Sequence, residues 1–300
     1  MASSTTRNDR SAVNEHSAVN EHSAVNEHSA VNEHSAVNDR PAPAVAVRKL
    51  CKTYAGATRP VLEDVDFTVD ERELVCIVGH SGTGKSTLLR AVAGLTSATG
   101  EVSINGTKVD GPPTDLAVVF QDYGRSLLPW MRVRENVELP LRRTTGKSER
   151  RRRAESALES VGLEGRGDLY PWEMSGGMQQ RAAIARALAF EPRVLLMDEP
   201  FASVDAQTRA DLEDLTMKVQ REFGMTVIIV THDVDEAVYM SNKVIVLGGA
   251  PASVTATVPV PLPDARDQLS TKSSELFGAL RMDVLRRIRP DLAGPAISVA

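Results

Sequence analysis

Leu74-Val75-Cys76-Ile77-Val78, then Gly79-His80-Ser81-Gly82-Thr83-Gly84-Lys85-Ser86-Thr87, then Leu88-Leu89-Arg90-Ala91-Val92-Ala93 is the stretch that decides how this chain folds. An apolar run, a glycine-rich turn and a helix-forming segment predict a buried strand, a tight loop and a helix N-terminus in that order. Gly79, Gly82 and Gly84 let successive backbone N–H groups close around an anion. The helix dipole adds a partial positive charge at the same place. Lys85 supplies a mobile charge for the β- and γ-phosphates of a nucleotide, and the Ser86 hydroxyl is placed to ligate the Mg²⁺ that bridges them. The bland alternative is a tight strand-to-helix connection, which the elements further along the chain make the poorer reading.

The whole chain sets bounds around this loop. Its 300 residues, 42% hydrophobic and 25% charged, suffice for one large or two moderate domains with a real core. No stretch approaches the ~20 consecutive apolar residues that cross a bilayer. Met1 to Arg7 lacks the apolar core of a secretory signal, so the chain is expected to remain in the cytosol and to dock on a membrane partner if it meets one. Cys51 and Cys76 are too few for a disulfide framework and lie in strand-like apolar runs, where a small soft residue packs well. A formal charge of −5 argues against nucleic acid as the main ligand.

Residues 11–40 hold a six-residue repeat, Ser-Ala-Val-Asn-Glu-His, which matches no helical period and offers little to bury. A tail without packed structure is expected over 1–43. From Ala44 the pattern turns to strands: Val45 to Leu50, Val65 to Val69, and the strand feeding the loop. Tyr54 follows the first of these and fits either an adenine-stacking aromatic or a half-exposed packing residue. Val102 to Gly106 predicts a strand ending in an Asn-Gly turn, and Ala117 to Phe120 a strand that delivers Gln121. Asp122 to Val137, with Leu127-Leu128-Pro129-Trp130, fits an exposed contact surface or ordinary core.

A helix is expected over 147–164, its contiguous Arg150 to Arg153 solvated. Ser175, Gly176 and Gly177 open the next helix as a second anion-binding end, which one nucleotide in one chain does not require. Val194 to Met197 is a fully apolar strand ending in Asp198 and Glu199, which can divide metal-holding from water activation. Val227 to Val230 ends in Thr231-His232, a histidine beside the same sheet edge. Val244 to Leu247 reads as the last strand. A Pro-rich connection then leads to an amphipathic helix over about 274–288, with Leu276, Phe277, Leu280, Val284, Leu285 and Ile288 on one side.

Taken together, residues 44–250 resemble the ATP-binding subunit of ABC transporters. Gly79 to Thr87 is similar to the Walker A loop, Gln121 to the Q-loop glutamine, and Met174 to Met178 to the signature sequence. Val194 to Glu199 is similar to Walker B with its catalytic glutamate, Ser203-Val204-Asp205 to the D-loop, and His232 to the switch histidine. The resemblance implies an α/β fold, a P-loop NTPase core with an antiparallel β subdomain and an inserted α-helical subdomain at about 122–190, followed by an extension over 251–300.

It also implies ATP and Mg²⁺ as cofactors. Tyr54, Gly79, His80, Ser81, Gly82, Thr83, Gly84, Lys85, Ser86 and Thr87 would hold the nucleotide, with Ser175, Gly176 and Gly177 acting in trans from a second copy. Ser86, Gln121 and Asp198 would hold the metal, and Glu199, His232 and Gln121 would serve catalysis. The partners implied are a second ATPase subunit in a homodimer, transmembrane permease subunits and, indirectly, a periplasmic-type solute-binding protein, with the chain peripheral on the cytoplasmic face of the inner membrane. Met174, Met178 and Val204 depart from the commoner signature and D-loop residues while leaving Ser-Gly-Gly intact. Leu127 to Trp130, the Met-ending signature and the C-terminal helix look most like the nitrate, sulfonate and taurine import group. An exporter of lipid, lipoprotein or drug, and a soluble non-transport ATPase, are the rival readings.

Overall fold

The structure, a computed structural model, describes residues 42–121 and 126–289. The hexapeptide repeats and the start of the expected contact surface, residues 122–125, lie outside the described residues.

Two sheets are built from the strands β1 (Val45–Lys52), β2 (Leu62–Val69), β3 (Leu74–Val78), β4 (Thr99–Ile104), β5 (Thr107–Lys108), β6 (Leu116–Val119), β7 (Val194–Asp198), β8 (Thr226–Val230), β9 (Lys243–Gly248) and β10 (Ser253–Pro259). The larger has the order β10-β9-β3-β8-β7-β6 and the smaller β2-β1-β4-β5. In the larger sheet β9, β3, β8, β7 and β6 run parallel, and β10 alone is antiparallel. β3, β7 and β8 are buried along their whole length, as expected of apolar runs covered on both faces.

Strand alternation divides those side chains between two cores. Cys76, Val78, Leu195, Met197, Val227, Ile229, Val244 and Val246 face one core together with helical residues such as Ile184, Leu188, Leu212, Val238 and Phe277. Val75, Ile77, Val194, Leu196, Ile228, Val230, Ile245 and Leu247 face the other, with the antiparallel sheet and helix α1 (Lys85–Val92). Each of these fully buried aliphatic side chains stabilises the fold by roughly 1.5–3 kcal/mol.

The remaining helices are α2 (Val133–Glu138), α3 (Lys147–Ser160), α4 (Gly176–Ala189), α5 (Ala206–Phe223), α6 (Val234–Met240) and α7 (Glu275–Ile288). The helix expected over 147–164 ends at Ser160, because Gly162 turns the chain at φ 71°. Its arginines are paired along the surface, Arg152 and Arg153 with Glu149 and Arg151 with Glu155, whereas Arg150 is drawn inward to Glu138. The Asn105-Gly106 turn joins β4 to β5 as expected, both residues having positive φ.

Three expectations need correcting. β9 is not the last strand, since β10 adds to its free edge in antiparallel register from Ser253↔Gly248 to Pro259↔Lys243. The stretch around the prolyl-tryptophan splits between the two readings offered for it: Leu127 and Met131 are core, while Trp130 is 70% exposed. In α7, Phe277 and Val284 are buried and Leu280, Leu285 and Ile288 pack beside them, but Leu276 faces solvent. No helix among the described residues is long and apolar enough to cross a membrane.

Candidate active site

The carboxyl ends of β3, β8, β7 and β6 lie side by side in the sheet and deliver Gly79, Thr231-His232, Asp198-Glu199 and Gln121 to one edge. After β3 the loop turns into α1 at Gly84, whose φ of 99° is left-handed and open to glycine at little cost. Lys85 is only 5% exposed, and its Nζ donates to the carbonyls of Gly79 at 3.0 Å and His80 at 3.1 Å. Burial lowers its pKa from the ordinary lysine value, against the pull of Glu199 and Asp198. The ammonium is thus held over the loop by carbonyls alone, with carboxylates near enough to be felt. Thr83 and Lys85 both tie to the carbonyl of His80, which fixes the loop's turn.

Ser86 donates through Oγ to Asp198 Oδ1 at 2.9 Å, which links the start of α1 to the end of β7. Burial raises the Asp198 pKa above the ordinary carboxylate value, opposed by that hydrogen bond and by Arg90. A hydroxyl and a carboxylate, both oxygen donors, suit a hard divalent cation that takes few protein ligands and completes its shell from substrate phosphates and water. Among the described residues no group of three or more His, Cys, Asp or Glu gathers as a metal cage.

Glu199 is the focus of the site. Its Oε2 lies 3.1 Å from Nδ1 of His232 and accepts a long hydrogen bond of 3.4 Å from Nε2 of Gln121. Its backbone stands at φ 45°, a strained conformation for glutamate, and is held there by its N–H donating to the Val230 carbonyl at 2.8 Å. Tyr54, 41% exposed, hydrogen-bonds through its hydroxyl to Thr87 Oγ1 at 3.1 Å, and Lys52 Nζ lies 4.9 Å from its ring centroid. An open aromatic face beside the end of the phosphate loop can take a base.

His80, Ser81 and Gly82 form the exposed lip of the loop. His80 reaches Ile288 O at the end of α7 through Nε2, at 3.0 Å, a contact across 208 residues that no local pattern announces. Ser175 caps α4 by accepting from the Met178 N–H at 3.3 Å, as its position implied. Ser175, Gly176 and Gly177 make no hydrogen bond to the phosphate loop within the chain, among the described residues. Gly177 is packed instead against α5, where a Cβ would fall less than 3.0 Å from Cγ2 of Thr208. Asp205 caps α5 by accepting from Thr208 N–H at 3.0 Å. Sequence reasoning also passed over Arg209, whose Nη1 reaches Asp233 Oδ2 at 3.2 Å and so ties α5 to the cap of α6 next to His232.

The model of the family described as ABC transporter matches residues 62–202. The chain is 41% identical over 227 residues to the aliphatic sulfonates import ATP-binding protein SsuB of Bacillus licheniformis, covering 75% of this chain and 86% of that protein. It is 39% identical over 251 residues to the nitrate transport protein NasD of Klebsiella oxytoca, covering 81% of this chain and 95% of that protein. Among solved structures it is similar to a dimeric ATP-binding cassette in a post-hydrolysis state bound to ADP and Pi. That match has a TM-score of 0.64 and 34% identity, and covers 73% of this chain and 100% of that one. With a phosphate-type loop, an acid pair at a strand end and this degree of likeness over most of its length, the chain belongs to the ABC transporter family as one of its ATP-binding ATPase chains.

Proposed function

We propose that the chain binds ATP between its own phosphate loop and the serine-glycine edge of a second copy, and hydrolyses it to drive a membrane importer of small oxyanions of the nitrate or sulfonate type. The observation that carries the chemistry is the convergence of His232 and Gln121 on one oxygen of Glu199, beside the Ser86–Asp198 pair. Glu199, turned out of the strand, is the general base that orients and deprotonates the attacking water. His232 holds that carboxylate in place and meets the departing phosphoryl group. Lys85 leaves its carbonyl partners for the outer phosphates, exchanging neutral acceptors for charged ones. Ser86, Asp198 and Gln121 would hold Mg²⁺, which supplies charge neutralisation between the phosphates when bound. Tyr54 stacks on the base.

Ser175 and Gly177 sit on a capped helix start, whose N–H groups and dipole suit an anion brought by a partner copy. The dimeric state of the similar cassette supports the same arrangement. Permease subunits are the further partners: the exposed Trp130 and the exposed Trp172, stacked on Tyr170 at 4.4 Å, offer aromatic surface for a membrane subunit. The chain would then work peripherally at the cytoplasmic face of the membrane, with a solute-binding protein acting on the far side. Nitrate and aliphatic sulfonates are named for relatives at 39% and 41% identity, which supports import over export.

The test is solute-stimulated ATPase activity of the chain reconstituted with its permease in vesicles, across nitrate, sulfonates, bicarbonate and lipids. Stimulation by small oxyanions is expected, and stimulation by lipid alone would overturn the import reading.

A further inference from the structure

At the opposite end of the sheet from the phosphate loop, a cleft of about 230 Å³ opens where the chain enters β3 and β9 and where α5 and α6 end. A water takes about 30 Å³ of liquid, so the cleft has room for several waters or one tetrahedral oxyanion. Three arginines line it, Arg72, Arg221 and Arg266, with Asp264 the one acidic residue of the lining. None of the three forms a salt bridge among the described residues. Arg266 donates only to backbone carbonyls, those of Pro263 at 2.9 Å, Tyr239 at 2.6 Å and Ser241 at 2.9 Å. Arg221 donates to the carbonyl of Asp264 at 3.1 Å. The Asn242 side chain accepts from Leu74 N–H through Oδ1 at 2.8 Å, and among the described residues its amide NH₂ has no hydrogen-bond acceptor. Gln220 Nε2 is committed to the carbonyls of Arg72 and Met225, so the backbone that carries Arg72 is fixed.

Like charges do not gather in a part-buried cleft without cost. Burial, with Arg221 adding to it, lowers the Arg266 pKa against the pull of Asp264. An anion removes that cost by giving these guanidinium groups an ionised acceptor, where the protein offers Arg266 and Arg221 neutral carbonyls.

We propose that this cleft is a binding site for a small oxyanion, a sulfate, phosphate or sulfonate group, held by Arg72, Arg221 and Arg266 with the Asn242 amide as a further donor. It is separate from the nucleotide site. The ends of α5 and α6 that border it belong to the helices whose starts are capped by Asp205 and Asp233 beside the catalytic edge.

The test is titration calorimetry of the full chain at low ionic strength, with the phosphate loop filled by a non-hydrolysable ATP analogue. Sulfate, phosphate and methanesulfonate are titrated separately, so that an inorganic dianion is distinguished from a monoanionic sulfonate. One anion per chain is expected for at least one of them. Arg72→Gln should weaken it about tenfold and Arg72→Gln/Arg221→Gln by about tenfold again, since each removes a charge-assisted hydrogen bond. Arg152→Gln/Arg166→Gln, equal in charge change and remote in sequence, should leave binding unchanged. No binding at tens of millimolar, equal affinity in the cleft variants, or equal loss in the remote pair would each overturn the proposal. Unfolding midpoints measured without anion confirm that the exposed Arg72 and Arg221 were replaced without loss of the fold.

Discussion

The glycine of the signature edge invites a quantitative test, because the structure gives it a role inside the chain as well as toward a partner. Gly177 is the second residue of α4, and an added Cβ would come within 3.0 Å of Cγ2 of Thr208. That methyl is not free to swing away. Thr208 donates through Oγ1 to Asp205 Oδ2 at 2.7 Å and through its N–H to Oδ1 at 3.0 Å, so rotating χ1 would break the Oγ1 hydrogen bond that braces the capping Asp205. Gly177→Ala therefore incurs overpacking of ~1–3 kcal/mol, partly offset by the gain of up to ~1 kcal/mol for alanine over glycine in a helix. A net loss of about 1–2 kcal/mol follows. Thr208→Ser removes the methyl and keeps the capping hydroxyl, which costs ~1 kcal/mol or less at a half-buried site. In the double variant the clash is gone, so the two changes should couple favourably by about 1–2 kcal/mol. Urea unfolding of the four proteins, followed by the fluorescence of Trp130 and Trp172, measures this directly. Additive losses would refute the steric argument. ATPase activity then separates the two roles. If the glycine also receives phosphate from a second copy, Gly177→Ala/Thr208→Ser regains stability but stays impaired in turnover.

Glu199→Gln should lower ATP turnover by ~10²–10⁴-fold while ATP binding and ATP-dependent pairing persist, as read by rapid-quench hydrolysis and gel filtration; turnover near that of the parent would remove Glu199 from the role of base. Tyr54→Ala should weaken ATP by about tenfold or more, from stacking worth ~1–3 kcal/mol, whereas Tyr54→Phe should keep the affinity. Loss in both would mean that the Thr87 hydrogen bond, and not the ring face, is what matters. Glu236, buried in the first turn of α6, has its pKa raised to about 8 by burial, with Glu213 and Asp233 adding to it. A raised folded-state value means that the stability it confers is complete below about pH 4.5 and is lost as pH climbs through about 8. Glu236→Gln should flatten that decline, gaining on the parent by up to a few kcal/mol between pH 5 and about 8 in chemical denaturation. An unchanged pH slope would sink the assignment.

Most of the core was legible because its strands are short apolar runs ending in glycine or acid. Val194 to Met197 and Val227 to Val230 bury every side chain, so period and burial agree. β10 was harder to read. Ser253-Val254-Thr255-Ala256-Thr257 is made of small residues on an edge strand that buries little, and its place is set by backbone pairing with β9, to which composition is blind. Local pattern also cannot assign Leu127 to the core and Trp130 to solvent three residues on. Gly177 against Thr208, His80 against Ile288 and Arg209 against Asp233 are pairings between distant segments. Each follows from the packing of whole elements, so the residue types alone carry no signal for the partner. The residues proposed for catalysis, by contrast, each follow the end of a strand, where a polar residue interrupting an apolar run is conspicuous.

How two neighbouring carboxylates come to lie in different surroundings follows from one dihedral angle. Along a regular strand, successive side chains point to opposite faces, so Glu199 would point away from Asp198 and be carried to the other side of the sheet. Asp198 remains in register with Val230 and is bonded to Ser86 in a dry corner. Glu199 leaves the strand at φ 45°, a conformation that costs of order 1–3 kcal/mol for a residue with a Cβ. It is held there because its N–H still finds the Val230 carbonyl and its own carbonyl accepts from Ala202 at 3.3 Å. The turn brings its carboxylate to His232 and Gln121 at the open edge, while Asp198 stays with Ser86. A glycine would relax the angle and forfeit the proposed base, and a regular strand would keep the carboxylate and misplace it. The strain is therefore the means by which one strand end presents one acid suited to a metal and another suited to water.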